Sequence, residues 1–157
     1  MSLEISLEID GKNVKAKEGM TILQAAKTVG VEIPTLCNNE EIEPSGVCRV
    51  CIVEIERHER KRIVASCCYS VENGLKVKTK TPKLDRIRKN IVELAAVTAG
   101  EDVVGKMRVF ASKYDANLSR FSSRLSTKST KCILCGLCVR GCSEVMMDDA
   151  IGFVGRG

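Results

Sequence analysis

The chain has 157 residues, of which 44% are apolar and 29% charged, and this balance excludes a disordered protein. No apolar run approaches the roughly 20 residues of a membrane-spanning helix, and the first residues do not resemble a secretory signal. We therefore expect a cytoplasmic protein without direct membrane insertion. The chain has nine cysteines, and structural disulfides rarely persist in a reducing compartment. Metal binding is therefore the expected use of their thiols.

The first thirty residues predict a β-hairpin followed by a helix. Apolar and polar residues alternate over 3–7 and again over 14–17, and Asp10-Gly11 is typical of a two-residue hairpin turn. Thr21, with a glutamine three residues later, has the pattern of a capping box and predicts the start of a helix. Gly30 marks the place where that helix ends.

The next fifty residues predict a cysteine-bearing loop and further strands. Turn-forming residues fill 34–51, and alternation returns over 52–56. A charged hairpin tip is predicted over 57–62, a returning strand over 63–65, and a last strand over 75–79. Several strands around one helix indicate a small mixed sheet with the helix across one face.

A change of character at Thr81-Pro82 predicts a boundary. Threonine is a suitable cap and proline suits the first helical position, and apolar residues then recur at helical spacing as far as Gly100. A second helix is predicted over 101–114, interrupted by Gly105. The serine-rich, basic stretch 118–130 is typical of a connector.

Four cysteines in the N-terminal half have the spacing C-x10-C-x2-C-x15-C: Cys37, Cys48, Cys51 and Cys67. Four thiolates delivered from loops are what a 2Fe–2S cluster needs, and tetrahedral zinc is the alternative. Cys68 is either a buried small side chain or a substitute ligand for Cys67.

The spacing of the C-terminal cysteines is more specific for one kind of metal site. Cys132, Cys135, Cys138 and Cys142 form C-x2-C-x2-C-x3-C, the run that binds a 4Fe–4S cluster. The chain has a single histidine, His58, in the predicted charged tip, where solvation is expected. One histidine excludes a Rieske site, which needs two.

These segments resemble the start of the large iron–sulfur subunit of NADH:quinone oxidoreductase (complex I) and the diaphorase iron–sulfur subunits of hydrogenases and NAD-dependent formate dehydrogenases. The residues that carry the resemblance are 33–37, 46–54, 65–67 and 132–157. The resemblance implies an α+β fold. A β-grasp 2Fe–2S ferredoxin-like domain would occupy 1–80, a helical linker 81–131, and a small 4Fe–4S ferredoxin-like segment 132–157.

The chain also departs from the family pattern. Residues 82–131 contain neither cysteine nor histidine, so the additional histidine-and-three-cysteine cluster of the family is not expected. Ser70 stands where relatives carry proline, and Ser143 follows Cys142 where two-cluster ferredoxins have proline. Cys142 therefore closes its own cluster, serves one shared with a partner, or is unused; we favour the first.

The function implied is relay of single electrons between an NADH- or flavin-binding subunit and another redox subunit, such as a hydrogenase, a formate dehydrogenase or a related low-potential reductase. The expected cofactors are one 2Fe–2S and one 4Fe–4S cluster. No nucleophile–base pair or phosphate-binding loop is present, so no catalytic residue and no small-molecule substrate are assigned. The basic stretch 106–131 keeps open an alternative, a zinc-stabilised regulatory or nucleic-acid-binding protein, although binding of nucleic acid is not expected.

Overall fold

The computed structural model describes residues 4–100, 105–121 and 130–155. A five-stranded mixed sheet forms its N-terminal part, in the order β2-β1-β5-β3-β4. Strands β1 and β5 are parallel, and the other neighbouring pairs are antiparallel. The strands are β1 (Glu4–Ile9), β2 (Lys12–Lys17), β3 (Ile52–Arg57), β4 (Arg60–Ala65) and β5 (Lys76–Lys78).

The first helix, α1 (Ile22–Thr28), begins with the predicted capping box. The Thr21 hydroxyl accepts a hydrogen bond from the Gln24 backbone N–H at 3.2 Å, and the Gln24 side chain accepts one from the Thr21 N–H at 2.8 Å. The apolar face of α1 covers the sheet and completes the first core. The prediction of a helix across a mixed sheet is confirmed.

The predicted charged tip between β3 and β4 is too long. Arg57 pairs with Arg60, so the turn contains only His58 and Glu59, whose φ angles are 48° and 63°. Strand β4 lies at the edge of the sheet, where charged side chains such as Lys61 point into solvent and also discourage pairing with another chain.

Two further helices pack against the cysteine-bearing loop. They are α2 (Pro82–Ala99), capped by the Thr81 hydroxyl as predicted, and α3 (Lys106–Lys113). The second predicted helix thus starts at residue 106, and 101–104 lie outside the described residues, as do 122–129 of the predicted connector. A second core joins both helices to Leu36 and Val50, which flank the loop cysteines in sequence.

A buried arginine fastens α2 to the sheet and the loop. Arg88 is 2% exposed, and its guanidinium donates hydrogen bonds to three backbone carbonyls and to one carboxylate. Its acceptors are Val50 O at 3.2 Å, Ile52 O at 2.6 Å, Thr79 O at 3.0 Å and Asp85 Oδ1 at 3.3 Å.

The C-terminal segment contains the short helix α4 (Leu137–Arg140), which continues into a π-helical turn (Gly141–Val145). None of the helices in 4–100, 105–121 and 130–155 is long and apolar enough to cross a membrane.

Replacing Arg88 with methionine would leave three buried carbonyls without their donor. We expect R88M to lower the free energy of unfolding by about 3 kcal/mol in chemical denaturation of the chain. Arg86 is exposed on the same helix, so R86M is the matched control and should change that free energy by no more than about 0.5 kcal/mol. Equal effects of the two substitutions would contradict this account.

Candidate metal centres

The fold brings the four N-terminal cysteines to one end of the sheet. Cys37, Cys48 and Cys51 lie on the loop between α1 and β3, and Cys67 follows β4. Because Ile52 pairs with Ala65 in the β3–β4 ladder, Cys51 and Cys67 leave the sheet side by side. Cys48 is half-buried and the other three are buried.

Cys37 and Cys48 form a first pair. The Cys48 backbone N–H donates to Cys37 Sγ at 3.4 Å. Hydrogen bonding from the Cys48 thiol lowers the pKa of Cys37 to about 5 and, together with burial, raises the pKa of Cys48. This hydrogen bond thus favours the thiolate form of Cys37, the form that binds metal.

Cys51 and Cys67 form a second pair, with Sγ atoms 3.3 Å apart. Their shared hydrogen bond lowers the pKa of Cys51 to about 6 and raises that of Cys67. A negative charge on Cys37 raises the pKa of Cys51, so the two pairs lie within electrostatic reach of each other.

Cys68 stands outside these pairs. Its thiol is exposed, 3.5 Å from Cys67 Sγ and 3.5 Å from the Pro44 carbonyl. Gly46 packs directly against it with φ +64°, and a Cβ at residue 46 would be only 2.9 Å from Cys68 Sγ. A side chain at residue 46 would force the Cys68 thiol to move.

The C-terminal cysteines are more open to solvent. Cys132 and Cys138 are exposed, whereas Cys135 and Cys142 are half-buried. The Leu134 backbone N–H donates to Cys132 Sγ at 3.3 Å. In the described part of the chain, these four thiols form no hydrogen bonds with one another.

Taking both groups together, no three cysteine, histidine, aspartate or glutamate side chains among the described residues are arranged to hold a metal ion.

The C-terminal segment docks on the loop that carries Cys37. Arg140 donates to the carbonyls of Glu43 and Cys37, the latter at 3.1 Å, and the Glu144 carboxylate accepts from the Glu43 N–H at 2.7 Å. Gly141 lies against Ile42. Sequence reasoning missed these contacts, since partners about 100 residues apart leave no local pattern.

The N-terminal half matches a known family. Residues 2–82 match the family described as the 2Fe-2S iron-sulfur cluster binding domain. The chain belongs to this family. All four cysteines of the two pairs lie within the matched residues, as do the strands and α1 that position them.

Relatives cover nearly the whole chain. The NADPH-Fe(3+) oxidoreductase subunit alpha of Geobacter sulfurreducens is 36% identical over 98% of this chain and 20% of that protein. The NADH-ubiquinone oxidoreductase 75 kDa subunit of Reclinomonas americana is 33% identical over 98% of this chain and 25% of that protein. The chain thus spans a fifth to a quarter of these relatives, and the resemblance to complex I subunits is confirmed.

A solved structure agrees with these matches. A chain in the crystal structure of an NAD+-reducing [NiFe]-hydrogenase in the H2-reduced state superposes with a TM-score of 0.82 at 28% identity. The match covers 98% of this chain and 71% of that one. The similarity includes the C-terminal cysteine segment as well as the sheet.

Substituting Gly46 tests how tightly the loop packs on Cys68. G46A should destabilise the fold twice, because the left-handed backbone costs about 1 kcal/mol for alanine and the new Cβ collides with Cys68 Sγ. G74A is the matched control. Gly74 has φ +75° with nothing within 4 Å of the place where a Cβ would lie, so G74A should show the backbone cost alone.

A double-mutant cycle in chemical denaturation separates the two effects. The C68A substitution should recover the part of the G46A loss that exceeds the G74A loss. If C68A recovers nothing, the predicted collision is wrong.

Proposed function

We propose that the chain is an iron–sulfur electron-transfer subunit with a 2Fe–2S cluster held by Cys37, Cys48, Cys51 and Cys67. The observation that carries this proposal is the arrangement of the four cysteines in two pairs: the Cys48 N–H donates to Cys37 Sγ, and Cys51 Sγ lies 3.3 Å from Cys67 Sγ. A 2Fe–2S cluster takes two thiolates on each of its two irons, and two neighbouring pairs suit that requirement.

The same arrangement disfavours zinc at this site. A structural zinc ion needs four ligands at tetrahedral positions around one point. Among the described residues the N-terminal cysteines are grouped two and two, which suits two irons better than one central ion. Membership of the 2Fe–2S family supports the iron–sulfur assignment independently.

Cys67 rather than Cys68 is proposed as the fourth ligand. Cys67 is buried beside Cys51, whereas Cys68 is exposed and directed to the Pro44 carbonyl. Burial matters here because it keeps water away from the metal–sulfur bonds and sets the dielectric around the site.

We propose a 4Fe–4S cluster for the C-terminal cysteines Cys132, Cys135, Cys138 and Cys142. Their spacing supports it, as does the Leu134 N–H that donates to Cys132 Sγ, because such bonds stabilise the thiolate form of a ligand. Gly136 in the left-handed conformation, φ 74°, turns the loop between the second and third cysteines.

Each cluster, when bound, supplies a one-electron reservoir. The first site (Cys37, Cys48, Cys51 and Cys67) is largely buried, and the second segment, residues 132–157 with the C-terminal cysteines, lies against the Cys37 loop through Arg140. Because the relatives are named as subunits of NADPH- and NADH-oxidising proteins, we propose a cytoplasmic relay between a flavin- or NADH-binding subunit and a second redox subunit. A hydrogenase is one candidate for the latter, in view of the solved structure.

Metal content and ligand substitution test the proposal. Chain purified anaerobically should be brown and contain about six irons and six acid-labile sulfides with both clusters bound. C51A should abolish the 2Fe–2S paramagnetic signal and leave the second signal unchanged, whereas the matched variant C68A should retain both. Colourless protein with only zinc, or loss of the 2Fe–2S signal in C68A but not in a C67A variant, would contradict the assignment.

Cys142 is tested separately. If it closes the second cluster, C142S should alter or abolish the 4Fe–4S spectrum while leaving the 2Fe–2S signal of the same sample intact. An unchanged 4Fe–4S spectrum would show that the fourth ligand lies elsewhere. Ser143 is adjacent and carries no thiol, so S143A is the control and should leave both signals unchanged.

A further inference from the structure

Arg140 connects the two cysteine segments. It is the last residue of α4, midway between Cys138 and Cys142, and its guanidinium reaches the loop of the first site. One Nη atom donates to the Cys37 carbonyl at 3.1 Å and the other to the Glu43 carbonyl. The Arg140 side chain, which belongs to the C-terminal cysteine segment, therefore holds the backbone of Cys37, a proposed ligand of the 2Fe–2S cluster.

The positive charge of Arg140 has no carboxylate partner within ion-pair distance in the described part of the chain. Its two acceptors are neutral carbonyls, and Glu144, one turn later, is engaged with the Glu43 N–H instead. By contrast, Arg88 lies 3.3 Å from Asp85, and Arg120 lies 2.6 Å from Glu93. The guanidinium therefore brings one positive charge to this position.

One atom of the same side chain is left unsatisfied. Arg140 Nε is buried without a hydrogen-bond acceptor in the described residues. A buried donor without a partner costs stability, which offsets part of what the two hydrogen bonds to the carbonyls contribute.

A fixed cation beside Cys37 acts unequally on the two oxidation states of a bound cluster. The reduced state carries one more negative charge than the oxidised state, and a nearby positive charge stabilises the more negative state more strongly. Partial burial weakens the screening of this attraction by solvent and salt. The net charge around a cluster is one of the factors that set its reduction potential.

We propose that Arg140 is a positioning residue that ties the C-terminal cysteine segment to the Cys37 loop and raises the reduction potential of the 2Fe–2S site. The proposal rests on the proposed function, because it needs a 2Fe–2S cluster at the first site. Arg140 is not proposed to contact a substrate.

The test is a redox titration of the whole chain, anaerobically reconstituted and followed through the 2Fe–2S paramagnetic signal. R140Q removes the charge and should shift the midpoint potential to a lower value, whereas R140K keeps the charge and should restore most of the wild-type value. Arg60 lies at the far end of β3 and β4, roughly 16 Å along the strand from Ile52, so R60Q removes an equal charge and should leave the midpoint unchanged.

A second variant covers the case in which R140Q fails to retain its cluster. E144Q removes a negative charge from the same turn while its amide oxygen can still accept from the Glu43 N–H, and it should shift the midpoint upward. Wild-type midpoints in R140Q, or in E144Q when R140Q does not assemble, would overturn the proposal. Wild-type protein that forms no 2Fe–2S signal would instead refute the proposed function.

Discussion

The loop between α1 and β3 is the constraint on which the rest of the structure depends. It carries three of the four cysteines proposed as 2Fe–2S ligands, yet it contains neither helix nor strand and cannot satisfy its own backbone groups through regular hydrogen bonding. Other elements supply the missing partners. Arg88 of α2 donates to the Val50 carbonyl, and Arg140 donates to the carbonyls of Cys37 and Glu43.

Arginine suits this task better than lysine. Its planar guanidinium offers five donors in a fixed arrangement, so one side chain can hold several carbonyls from different segments. Arg88 joins the loop to β3 and to the residue after β5 through three carbonyls. Apolar packing of Leu36 and Val50 against α2 and α3 completes the support. The helices after the sheet therefore belong to the scaffold of the first site and do more than connect two cysteine segments.

Local patterns in the sequence predict local structure here. The hairpin at Asp10-Gly11, the capping box at Thr21 and the cap at Thr81 each depend on residues a few positions apart, and all three are found in the structure. The extent of β4 was missed because its first three residues are charged. Charge is compatible with a strand at a sheet edge, which is a property of the whole sheet and not of the local sequence.

The choice between Cys67 and Cys68 shows the same limit at the site. Both follow β4, and no alternation pattern extends far enough to assign either of them to the interior. Their environments differ only in three dimensions, where Cys67 meets Cys51 and Cys68 meets Pro44 and Gly46. The contacts of Arg140 are harder still to predict from the sequence, because residues 37 and 140 are 103 positions apart.

The distribution of aromatic side chains follows from the same support problem. Only five are present, and the first core is built mainly from aliphatic residues. Phe110 and Tyr114 instead lie in the second core, where they pack beside the cysteine loop, and Phe153 covers Gly136 in the C-terminal segment. A paired sheet needs little help from large rings. An irregular loop depends on large rings more strongly, because each ring excludes water over a wide area and has few rotatable bonds to order.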